Sequence, residues 1–238
     1  MHKTLLFLGY YSVCAVLSSK GQNVPSATIA DTPLALYKAE TRLSPHLYNG
    51  NRYHIYDSRS KDHQFFETES WEEGSVVYDG QLYEPVNMLY DIVKDKVVVR
   101  HQERIGLVQL QSERIKSFRV LEHQFVRLEA NPESGISVTG FYDLLYGGKT
   151  ALIVRRTKQR QEQIENNKVT VSFPEKTFYY LKKDDKYQII RSKQAVLGLL
   201  KEEKRALKRH LRDKKIKYRK TKELALIEIA TQYDKLHP

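Results

Sequence analysis

The chain has 238 residues, 40% of them apolar, with 40 Lys or Arg against 29 Asp or Glu and a formal net charge of +11. The composition is that of a folded globular protein, and the single cysteine excludes a disulfide framework within the chain. Sixteen tyrosines point to half-buried pleated strands, where a large ring packs and its hydroxyl stays wet.

Residues 1–21 read as a secretory signal peptide. His2 and Lys3 give a basic start, Leu5 to Leu17 an apolar run too short to span a bilayer, and Ser19-Lys20-Gly21 the small-residue exit. Cys14 lies inside this segment. A lipoprotein signal wants a small residue just before the cysteine, and Val13 stands there instead. Processing after Gly21 would leave 217 residues without cysteine and without a transmembrane segment, enough for one large β domain with an appendage.

Pro25, Pro33 and Pro45 break residues 22–45 into an extended arm or edge strand. Three tyrosine-containing turn signals follow: Leu47-Tyr48-Asn49-Gly50, Val77-Tyr78-Asp79-Gly80 and Leu145-Tyr146-Gly147-Gly148. Asn-Gly, Asp-Gly and Gly-Gly suit type I′ hairpins, in which both central residues take positive φ. The glycines at 50, 80 and 148 are unevenly spaced, which excludes a tandem repeat. Residues 57–64 form a polar loop. Strands are predicted over 74–78, 81–90, 96–101, 104–109, 114–121, 124–130, 138–146, 149–156, 169–173, 177–181 and 186–191, the last pair joined by Lys183-Asp184-Asp185. The polar stretch 157–168 reads as an exposed loop or a frayed helical turn.

After residue 191 the period changes. Ser192 is an N-cap for an amphipathic helix with Val196, Leu200, Leu207 and Leu211 on one stripe and Lys204, Arg205, Lys208 and Arg212 opposite. Residues 213–220 link it to a second helix, capped by Thr221, in which Leu226, Ile229, Ala230, Tyr233 and Leu236 share a face. The charge is uneven too. Residues 22–190 hold 23 basic and 23 acidic side chains, whereas 191–238 hold 15 and 6. The four cations Lys204, Arg205, Lys208 and Arg212 are therefore the candidate binding residues, able to grip phosphate-bearing lipid headgroups or other anionic polymers.

Catalytic signatures are missing: there is no phosphate loop, no G-x-S-x-G elbow and no H-E-x-x-H. His101 and His123 lie on or beside strands and could meet across a sheet, short of the three or four ligands a metal needs. Asp79, Asp91 and Asp143 each follow a tyrosine. Asp79 belongs to a turn, Asp91 starts a loop or cap, and Asp143 sits within a strand pattern with no obvious role. Phe65, Phe66, Trp71 and Tyr78, interleaved with Glu67, Glu69, Glu72 and Glu73, could stack on sugars but are expected to fill the core.

The strings LYNGNRYHIY, W-x-x-GSVVYDGQLYEPVNMLYDIVKDKVVV and GFYDLLYGGKTALIVRRTK, with Ile216-Lys217-Tyr218 and Tyr233-Asp234 near the end, resemble a family of uncharacterised exported β-rich proteins from Bacteroidota-type bacteria. The resemblance implies export, a β-rich body and a helical end, and carries over no functional residue.

The expected fold is α+β: a curved antiparallel sheet or incomplete barrel over residues 22–191, with a basic C-terminal helical pair over 192–238 packed on it. The expected function is a non-enzymatic periplasmic or envelope-associated binding protein. It would take an anionic lipid, glycan or protein partner through the concave side of the sheet or the basic helices, without nucleic acid, metal or cofactor. The alternative is an enzyme acting on envelope polymers through carboxylates such as Asp143.

Overall fold

The computed structural model describes residues 46–57, 60, 62–100, 106–165 and 168–237. The expected signal segment with Cys14, the proline-broken arm and His101 lie outside the described residues. Among those described, eleven strands form one antiparallel sheet. Its order is β1 (Asn51–Arg52), β5 (Leu107–Gln109), β4 (Lys96–Arg100), β3 (Gln81–Asp91), β2 (Glu72–Tyr78), β6 (Ile115–Val120), β7 (His123–Leu128), β8 (Gly140–Gly147), β9 (Ala151–Lys158), β12 (Glu175–Lys183) and β13 (Lys186–Ile189). Helices α1 (Lys193–Leu199), α2 (Lys204–Asp213) and α3 (Lys222–Leu236) follow. This is the α+β architecture the sequence predicts, and the sheet is open rather than closed into a barrel.

The sheet curls strongly. β3 and β8 lie four strand steps apart, which would separate them by ~19 Å in a flat sheet. Yet the rings of Tyr90 on β3 and Phe141 on β8 have centroids only 6.0 Å apart. Phe118, Phe125 and Phe66 complete this aromatic filling, with Phe118 stacked on Phe125 at 4.8 Å. Polar contacts lock the curl. The Tyr90 hydroxyl donates to Asp95 at 2.5 Å, Arg155 donates to the same carboxylate at 3.0 Å, and the Lys158 N–H donates to the Ile92 carbonyl at 3.2 Å. The concave face is thus filled by the protein's own rings.

The three turn signals have three outcomes. Asp79 and Gly80 take φ 49° and 80° and join β2 to β3 with Tyr78 opposite Gln81, a two-residue turn as expected. Gly147 pairs with Ala151, so the β8–β9 hairpin exists but closes through residues 148–150. There Gly148 leaves room for the Asp234 carboxylate on α3, which a Cβ at this position, 2.2 Å away, would displace. Asn49-Gly50 forms no hairpin. β1 pairs instead with β5, Asn51 opposite Gln109, and Gly50 lets the chain pass against the Gln109 carbonyl. A further two-residue turn, Asp184-Asp185 at φ 50° and 60°, joins β12 to β13.

Two other expectations are corrected. Residues 157–168 are not a loop: β9 runs to Lys158, and β10 (Gln161–Glu165) pairs with β11 (Lys168–Ser172) in an antiparallel ribbon of its own. Cross-strand hydrogen bonding builds this ribbon without a buried face, with Ile164 and Val169 exposed opposite each other. The first expected helix is divided. Leu200 leaves helical geometry at φ −103°, ψ 45°, and a 3-10 turn over Lys201–Glu203 leads into α2. Lys183 reaches the break, donating to the Leu199 carbonyl at 3.2 Å and to Glu202 at 3.0 Å.

The helix ends follow local rules. The Ser192 hydroxyl accepts from the Ala195 N–H at 3.1 Å, capping α1. α2 ends in a Schellman motif: Lys215 takes φ 56°, and the Ile216 and Lys215 N–H groups donate to the Leu211 and Arg212 carbonyls. Thr221 occupies the N-cap of α3, but its hydroxyl donates back to the Lys217 carbonyl instead of capping.

Two cores share the concave face of the sheet. The first is the aromatic filling with Val97, Val99, Met88 and Ile115 around it. The second joins Leu152, Val154, Tyr179 and Leu181 of the sheet to Val196, Leu207, Leu211, Leu226, Ile229 and Tyr233 of the helices. The opposite face carries two smaller clusters, around Phe65 and Leu89 and around Tyr142 and Ile153.

Candidate functional site

α2 presents the expected cations to solvent. Lys204, Lys208 and Arg212 are spaced at i, i+4 and i+8, which places them on one stripe about 12 Å long. Arg205 and Arg209 form a second stripe beside it. All five are exposed, as are Lys201, Lys215, Lys217, Arg219 and Lys220. From Lys201 to Lys222 the chain holds twelve Lys or Arg and three Asp or Glu. Among the described residues, Lys204, Arg205, Lys208 and Arg209 have no carboxylate within ion-pair distance, and Arg212 has only exposed Asp213 at 3.8 Å. A depression of about 560 Å³ runs along the start of the helix between Lys201, Lys204, Arg205 and Arg209, with Glu202 and Glu203 on its wall.

The opposite side of α2 fixes this face in place. Leu207 and Leu211 are buried in the helical core. Glu228 on α3 accepts from His210 at 2.8 Å and from Lys214 at 2.8 Å, and those two hydrogen bonds, Lys214's first, hold its carboxyl below the usual range. α3 is in turn pinned to the sheet. Asp234 accepts from the Thr150 hydroxyl at 2.7 Å and from the Tyr146 hydroxyl at 3.0 Å. The helix that carries the basic stripes is therefore docked through its other side. Arg209, which the expected set omits, belongs to the stripes by its four-residue spacing from Arg205.

Asp143 occupies a different place. Cross-strand pairs set Phe125, Asp143, Val154 and Tyr179 in one row across β7, β8, β9 and β12. A carboxylate thus stands in an apolar row, at the seam between the two cores. It is 1% exposed, and its Oδ2 accepts from His123 Nδ1 at 2.7 Å and from Arg156 Nε and Nη2 at 3.0 and 2.8 Å. Arg156 also meets Glu223 of α3 at 3.0 Å, and the Tyr179 hydroxyl donates to that same glutamate at 3.0 Å. Burial alone would push the Arg156 guanidinium down, but its bonds to Glu223 and Asp143 outweigh this and hold it above its ordinary value. The Asp143 hydrogen bond raises His123, outweighing burial. Three donors converge on Oδ2 while Oδ1 is buried without a hydrogen-bond partner, so Asp143 ties β7, β8 and β9 together and, through Arg156 and Glu223, reaches α3.

The remaining candidates are structural. Asp79 pairs with Arg114 and with His46 at 2.6 Å across its turn, and Arg114, ahead of His46, holds the carboxyl below its usual value. Asp91, fully buried, accepts from the Val93 and Lys94 N–H groups at 2.9 Å and so caps the β3–β4 turn, as expected. It also accepts from Tyr53 at 2.7 Å and Tyr56 at 3.0 Å. Phe65, Phe66 and Tyr78 are buried, and the Arg100 guanidinium lies over the Trp71 ring, 4.7 Å from its centroid, so these four do not form an open aromatic platform. No cluster of His, Cys, Asp and Glu among the described residues has metal-binding geometry. No described helix is long and apolar enough to cross a membrane. Comparison with protein-family models, curated proteins and solved structures found no match to the chain.

Proposed function

We propose that this chain is an exported, envelope-associated binding protein that docks by charge on a surface rich in lipid phosphates. The observation that carries this reading is the α2 face: five exposed cations at helical spacing, four without a carboxylate partner among the described residues, on a helix that cannot turn over. Because Leu207 and Leu211 are already buried in the protein, α2 offers no hydrophobic wedge to a bilayer. Contact is therefore electrostatic and superficial, and it weakens with salt as the Debye length shortens. The ring-filled concave face supports the cap, rather than the sheet, as the docking element.

A basic residue at an anionic bilayer contributes about 1 kcal/mol, so four of them account for roughly a thousandfold in partitioning. Reversal of Lys204, Arg205, Lys208 and Arg212 to Glu is expected to abolish co-sedimentation with phosphatidylglycerol-containing vesicles while leaving the circular dichroism spectrum and melting curve in place. Unchanged sedimentation of that variant refutes the reading. Binding of an anionic glycan that charge reversal abolishes, with no vesicle binding by either form, would move the role to another anionic partner.

A further inference from the structure

Beyond its part in the seam, His123 stands between two carboxylates. Nδ1 lies 2.7 Å from Asp143 on β8, and Nε2 lies 3.4 Å from the Glu67 carboxylate on the segment leading into β2. Arg156 of β9 faces it from behind Asp143 and pairs in turn with Glu223 of α3. Phe66 abuts the imidazole edge-on at 5.0 Å and Phe125 lies at 6.2 Å, so its remaining surroundings are apolar. The ring is 20% exposed, which lets a proton exchange with solvent, whereas Asp143 is closed off. Glu67 takes φ 50°, a left-handed conformation that side chains other than glycine adopt at a cost.

A neutral imidazole has one N–H and one lone pair. With its hydrogen on Nδ1 for Asp143, the lone pair of Nε2 would face the Glu67 carboxylate and repel it. Only the imidazolium suits both acceptors. We propose that His123 is a proton-operated latch: protonated, it holds the Glu67 segment against β7; neutral, it keeps Asp143 and lets Glu67 go. The latch is closed below the histidine's folded midpoint and open above it. That midpoint lies above the ordinary value of about 6.5, because the Asp143 bond outweighs burial and the Arg156 charge. His63, the other histidine in this part of the chain, is pushed down, first by burial and then by Lys158, so the two titrate in separate ranges.

The test is a pH titration of the full chain by NMR. The imidazole of His123, the amides of residues 67–70 and the Trp71 indole should share one single-proton midpoint above pH 6.5. Glu67→Gln, at an exposed position, should lower the His123 midpoint and uncouple residues 67–70 from it, while His63→Gln should leave the shared transition in place. Resonances of 67–70 that ignore the His123 midpoint, a midpoint unmoved by Glu67→Gln, or a transition lost in His63→Gln would each overturn the latch.

Discussion

The two halves of the concave face are closed in opposite ways. From β3 to β8 the sheet bends until its own aromatic rings meet, and no further element is needed to cover them. From β8 to β12 the apolar face is covered by three helices, whose outer surfaces are free to carry charge. The first half spends its side chains on packing; the second presents an outward face on which a function can be built. Between them lies the Asp143–Arg156 seam, which fixes the helices to the sheet through Glu223.

This contrast can be broken from either side. Phe118→Ala removes a ring shared by Tyr90, Phe125 and Phe141 and is expected to cost about 4 kcal/mol in a urea melt. Arg156→Met strands a buried carboxylate and should cost about 3 kcal/mol. Hydrogen exchange should then rise most at the start of α3, where Glu223 loses Arg156 and keeps only the Tyr179 hydroxyl. An equal rise in the β2–β3 hairpin would show that the seam does not separate the halves. Ser192→Ala removes the α1 cap and should cost about 1 kcal/mol, with exchange increasing in the first turn of α1 alone.

pH gives a smaller, signed effect. The folded midpoint of His123 is raised, so the stability it adds is complete below about pH 6.5 and is lost as pH rises through the folded midpoint. Urea melts from pH 6 to 9 should show this decline in the wild type and not in His123→Gln. The smallest effect on stability belongs to the quadruple charge reversal on α2, whose residues are exposed, and should lie within about 0.5 kcal/mol of zero.

What the sequence disclosed follows the range of the interactions. Asp79-Gly80 and Asp184-Asp185 were legible because turn chemistry is local. Ser192 and the leucine stripe of α2 were legible for the same reason. Asn49-Gly50 misled because β1 has its partner at residue 109, a pairing that no local signal announces. β11 was legible over 169–173 from its β-branched residues, but its partner β10 was missed because a run as polar as Gln161-Glu162-Gln163 carries no alternation by which a strand is read. The seam was half legible. Asp143 stands between Phe141 and Leu145, where the strand period calls for an apolar residue, and that mismatch was its signal. Arg156, Glu67 and Glu223 could not be joined to it without the register of β8 on β9 and the docking of α3. The basic face needed only helical spacing, which is why four of its five cations could be named in advance.

The central claim is that charge on a docked helix, and not inserted apolar surface, brings this protein to its partner. Co-sedimentation with phosphatidylglycerol-containing vesicles across a sodium chloride series measures it most directly. Strong binding at about 0.01 M salt, where the Debye length is about 30 Å, should disappear near 1 M, where it is about 3 Å. The quadruple Glu variant should remain unbound throughout. Binding that persists at high salt, or that survives the charge reversal, would contradict the account.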